Sequence, residues 1–86
     1  MRIEGAIIRE QGQVFAIVVV KQRIVENSSE ANRALHSFMP LFPGMPVVLA
    51  AQDYRGQFTY YGRRDISRFL ASVDPSRIPW KAYTFS

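Results

Sequence analysis

The chain has 86 residues, a hydrophobic fraction of 48%, an aromatic fraction of 13% and no cysteine. This composition excludes a disordered chain, a disulfide framework and thiol chemistry, and the length suits one domain over residues 1–86, where about 60% of the unfolded surface is buried. The net charge of +4 is uneven, with five Lys/Arg against four Asp/Glu in residues 1–45 and six against three in residues 46–86; it permits attraction to nucleic acid or another anionic surface without specifying either.

No apolar run reaches the length of about 20 residues that spans a bilayer, and residues 1–12 mix charges with apolar side chains, unlike a signal peptide. A cytoplasmic protein without membrane association is expected. Residues 2–9 place Ile3, Gly5 and Ile7 on one side and Glu4, Ala6 and Ile8 on the other, the pattern of a half-buried edge strand. A polar break at Glu10, Gln11, Gly12 and Gln13 then predicts a hairpin into residues 14–20. That second run is apolar on both faces, with Val14, Ala16, Val18 and Val20 on one and Phe15, Ile17 and Val19 on the other. Only a central strand covered on both sides suits it.

Asn27, Ser28, Ser29 and Glu30 have the residue types and spacing of a helix cap. Ala31, Ala34, Leu35, Phe38 and Met39 recur on one helical face, and Pro40 ends the helix. Burial of Leu35, Phe38 and Met39 is expected to contribute about 1.5–3 kcal/mol each before entropy is counted. Pro43 and Gly44 form a turn, Pro46 opens a central strand over residues 47–51, and Asp53, Tyr54, Arg55 and Gly56 carry turn chemistry. Phe58 to Tyr61 alternates aromatic residues, Gly62 breaks the strand, and Ile66, Phe69, Leu70 and Val73 repeat at helical spacing before Asp74 and Pro75.

The expected fold is therefore α+β, in ββαββα order, with a mixed four-stranded sheet, two helices and an aromatic C-terminal tail, Trp80, Tyr83 and Phe85, packed on it. Two ββα units suggest a pseudo-repeat. With both helices on one face, the other apolar row needs the tail or a second subunit as cover, which makes a homodimer possible.

His36 is the only histidine and has no companion for a metal site or a nucleophile relay. The seven Asp and Glu residues include no close pair, and no phosphate-loop, dinucleotide or nucleophile-elbow pattern occurs. No cofactor and no metal are expected. An enzyme would need carboxylates to converge in the fold with His36 or a tyrosine.

One segment has unusual electrostatics. Arg63 and Arg64 stand at the predicted start of the second helix, where its dipole disfavours cations, and Arg64 and Arg68 are four apart on its surface. With Gly62 beside them and Tyr60 and Tyr61 for stacking, Tyr60, Tyr61, Gly62, Arg63, Arg64 and Arg68 form a candidate anion or nucleic-acid site. In the plainer alternative, Asp65 neutralises the arginines and a tyrosine belongs to the core.

Gly44, Met45, Pro46, Val47, Val48 and Leu49, a hairpin, Gly62, and Ile66 to Ala71 together resemble the C-terminal half of thioredoxin-like domains over about a third of the chain. The resemblance implies a cis Pro46 beside an active site, but the chain has no cysteine and no room for that family's βαβ N-terminal half. The residues favour a non-enzymatic interaction module acting through self-association or a protein partner. The alternative is a nucleic-acid or phosphate-binding domain using residues 60–68.

Overall fold

The computed structural model describes residues 1–10 and 12–86. Among these residues five strands form one sheet: β1 (Arg2–Glu10), β2 (Gln13–Val19), β3 (Val47–Gln52), β4 (Phe58–Tyr61) and β5 (Lys81–Thr84). Three described helices accompany them: a single turn, α1 (Gln22–Val25), then α2 (Ser28–Phe38) and α3 (Arg64–Ala71), with short 3-10 turns at Met39–Leu41 and Pro75–Arg77. Gln11, part of the predicted β1–β2 turn, lies outside the described residues.

The order across the sheet is β4-β3-β2-β1-β5. β2 and β3 pair in parallel, and every other pair is antiparallel. The mixed sheet, the hairpins and the two longer helices agree with the sequence-based expectation. The strand count does not, because residues 81–84 add a fifth strand to β1, so β1 is an internal strand and the aromatic tail is itself part of the sheet.

The doubly apolar β2 is covered on both faces. On one face, Ala6, Phe15, Ile17, Val48 and Ala50 pack with Ile66 and Leu70 of α3 and with Ile78; on the other, Ile3, Ala16, Val18, Val47 and Leu49 pack with Ala31 of α2 and with Phe42. The helices thus lie on opposite faces, and the two ββα units do not present their helices alike. Tyr83 and Phe85 join the α2 side while Trp80 joins the α3 side, so cover for both apolar rows comes from within the chain.

Local chemistry sets the boundaries. The Asn27 side chain accepts from the Glu30 amide at 3.1 Å and starts α2 as the capping residues predict. Ala34, Leu35 and Phe38 turn inward, but Met39 is 49% exposed and lies outside the core cluster, a correction to its predicted place on the buried face. Pro40 redirects the chain into a 3-10 turn, so the stripe ends one residue earlier. Among the described residues no peptide bond is cis, so the cis Pro46 implied by the thioredoxin-like resemblance is absent. Gly5 lies where β1 crosses β2 so closely that a Cβ would overlap the Ile17 carbonyl oxygen.

Candidate interaction site

The structure divides the six residues singled out in the sequence. In an extended strand neighbouring side chains point to opposite faces. Tyr60 accordingly joins the α3 side of the core, and Tyr61 joins the α2 side. They form no common stacking platform. The Tyr60 hydroxyl is buried without a partner among the described residues, and burial pushes the phenol above its ordinary pKa. The Tyr61 hydroxyl instead donates to Asn32 Oδ1 at 3.0 Å, linking β4 to α2.

Arg63 precedes α3 and is held by Asp65 in a bidentate pair, Nε to Oδ1 at 3.0 Å and a terminal nitrogen to Oδ2 at 2.6 Å. The Gln13 carboxamide, oriented so that its oxygen meets the guanidinium, accepts from the two terminal nitrogens at 3.3 and 3.0 Å. Arg63 therefore ties the β1–β2 hairpin to the start of α3. The hydrogen bond from Arg63 holds the Asp65 carboxyl below the usual carboxylate range, and the same bond raises the arginine. Arg64 and Arg68 are exposed one turn apart on α3. Gly62 fits closely against β3, since a Cβ there would meet Val48 Cγ2 at 3.1 Å and Val48 Cα at 3.2 Å. The close backbone approach at Gly62 thus serves packing against β3.

Glu10 and Asp65 both line one depression with Gln13, Phe15, Ile66 and Phe69, while exposed His36 has Nδ1 3.0 Å from the Asn32 carbonyl oxygen. Among the described residues no group of three His, Cys, Asp or Glu is placed to hold a metal ion. No described helix is long and apolar enough to cross a membrane.

A different feature emerges at β4, one end of the sheet. The Asp53 amide donates to the Gln57 carbonyl at 2.9 Å, marking a hydrogen-bonded position of the β3–β4 hairpin. Antiparallel ladders alternate, so Thr59 and Tyr61 direct their amides and carbonyls toward β3, and Phe58 and Tyr60 direct theirs outward. The strand Phe-Thr-Tyr-Tyr contains neither charge nor proline. At the other edge, β5 carries Lys81 and is preceded by Pro79, two common protections against unwanted pairing.

Grooves flank β4 on both faces. On the α2 side, Leu35, Met39, Pro46, Val47 and Tyr61, with Asn32, Gly62 and Arg63, line a groove of about 340 Å³. On the α3 side, Phe58, Tyr60, Leu70, Val73 and Pro75 line one of about 330 Å³ with the hairpin backbone. Tyr60 stacks with Phe58 at a centroid distance of 6.0 Å, and Phe58 with Trp80 at 5.2 Å, with interplanar angles of 12° and 14°. Phe58, Thr59 and the α2 groove residues had no signal in the sequence as a site, because three separate segments assemble them.

No family model matches the chain, and comparison with curated proteins and with solved structures gives no match.

Proposed function

We propose that the protein is a non-enzymatic interaction module that binds an extended polypeptide by adding it as a strand to the outer edge of β4. The observation carrying this reading is the combination of outward-facing backbone groups at Phe58 and Tyr60 with an uncharged edge and an apolar groove on each face. Main-chain bonds would supply affinity, and alternate side chains of the added strand would enter the two grooves.

The alternative, an anion or nucleic-acid site at residues 60–68, has support only from exposed Arg64 and Arg68, since Arg63 is engaged by Asp65 and the tyrosines diverge. Titration of the isotopically labelled protein with a synthetic Thr-Val-Thr-Val-Thr-Val peptide tests strand addition. Amide shifts are expected at Phe58 and Tyr60, with smaller ones at Leu35, Met39 and Leu70. Shifts appearing instead at Arg64 and Arg68 on addition of inorganic phosphate, with none from the peptide, would favour the anion site.

A further inference from the structure

We infer that the strand accepted by β4 is β4 of a second copy of this chain, giving a two-fold dimer with a continuous sheet. This inference rests on the β4 edge being a strand acceptor and adds the identity of its partner. The directions of the backbone groups limit the register, and the one that pairs both outward residues within β4 is centred on Thr59. Phe58 and Tyr60 face outward, so an antiparallel copy satisfies them by placing Phe58 opposite the partner's Tyr60, and Tyr60 opposite the partner's Phe58. Each such pair exchanges both of its N–H···O bonds. Thr59 then meets the partner's Thr59 on the two-fold axis, at a position between hydrogen-bonded pairs where side chains approach most closely.

The side chains suit this register on both faces. On the α3 side, Phe58 lies beside the partner's Tyr60, so the stacked series Tyr60, Phe58 and Trp80 continues across the axis into its symmetry mate. Cross-strand aromatic pairs are among the favourable contacts of antiparallel sheets. On the α2 side the two threonines face each other, which is also a favourable pair. β4 itself carries no charged residue, although each copy carries +4. Arg55 and Arg63 lie beyond the two ends of β4, where the register sets Arg55 toward the partner's Arg63; Arg55 sits 5.4 Å from the Tyr54 ring, and the charge of Arg63 is offset by its bond to Asp65. A two-fold pairing uses both free edges at once and closes, while Lys81 and Pro79 guard the other edge against further growth.

Solution mass and a single introduced cysteine test the inference together. The seam is short, so the chain should run as a dimer near about 1 mM and dissociate toward about 10 μM. Thr59→Cys, in a chain with no other cysteine, should form a disulfide-linked dimer on mild oxidation, because residues on the axis have Cβ atoms about 4.5–5.5 Å apart. Gln57→Cys, whose opposite position is the partner's Tyr61, should not. Thr59→Lys, at an exposed position, should keep the circular dichroism of the parent and be monomeric at every concentration. A parent chain that stays monomeric near about 1 mM, or a dimer that survives Thr59→Lys and fails to cross-link through Thr59→Cys, overturns the inference. A monomer that still binds the Thr-Val peptide at Phe58 and Tyr60 refutes self-pairing alone, whereas a monomer that ignores the peptide refutes the strand-acceptor reading as well.

Discussion

The Tyr61 hydroxyl and the Asn32 carboxamide, 29 residues apart in the chain, meet at 3.0 Å and join the last residue of β4 to the middle of α2. Both residues line the α2-side groove, so the bond is part of its wall. Tyr61→Phe keeps the ring and removes the donor. Since the site is solvent-accessible, the loss should be about 0.5–1.5 kcal/mol. Urea unfolding with an unchanged m-value checks it, and a loss near zero would show that water replaces the bond fully.

Gly5 provides a sharper test of packing. It pairs with Val18, and any side chain would enter the space of the Ile17 carbonyl oxygen, a backbone atom that cannot swing aside. Gly5→Ala should therefore separate β1 from β2 locally and cost about 1–3 kcal/mol, as overpacking does. A melting temperature equal to that of the parent would mean that β1 can shift without penalty.

Asp65 connects the fold to pH. Its pKa in the folded chain is lowered chiefly by the hydrogen bond from Arg63, with the Ile66 amide adding to the effect, while desolvation opposes it. A lowered carboxylate favours folding at pH values above its unfolded pKa. That contribution is lost as pH falls through the folded pKa, so the affected window lies on the acid side of the ordinary carboxylate range of about 4. In a carbon-detected titration of the side-chain carboxyl, Arg63→Ala should move the Asp65 midpoint upward. Asp74 is lowered for a different reason, the bonds from the Ser76 amide and hydroxyl, and its midpoint should not respond.

Arg64 bears on the choice between binding readings. It opens α3 and lies four residues before Arg68. Arg64→Glu replaces a cation at the positive end of the helix dipole and turns a like-charge pair into an attractive one, which should stabilise the chain by about 0.3–1 kcal/mol. Denaturant unfolding measures this directly. A variant no more stable than the parent would mean that Arg64 already has a compensating partner.

Several elements could be read from residues close together in sequence. Asn27 with Glu30 marks the start of α2, the Asp53 turn marks the β3–β4 hairpin, and the run Val47 to Ala51 marks a buried strand; each depends on contacts within a few positions. β5 could not be read in this way, because Lys81 to Thr84 is short and mostly exposed, and becomes a strand only by pairing with β1. The placement of α2 and α3 on opposite faces was hidden for a related reason. The two apolar rows of β2 require cover on both sides, yet nothing in them states which segment supplies it. At the candidate site, the Arg63–Asp65 pair was foreseeable from spacing, as was the alternation that sends Tyr60 and Tyr61 apart. The grooves beside β4 were not, since Leu35, Pro46 and Leu70 meet there only after the sheet has formed.

The pairing of β5 with β1 has a consequence for the order in which the molecule assembles. The β1–β2 and β3–β4 ladders close short loops, but Arg2 opposite Thr84 joins residues separated by nearly the whole chain. The entropy lost on closing a loop grows with its length, so the two hairpins should gain structure early and β5 should dock last. In native-state hydrogen exchange, the amides of Lys81 to Thr84 should open at lower free energy than those of β2 and β3. Equal protection across the sheet would show instead that the far strand joins in the same cooperative step as the centre.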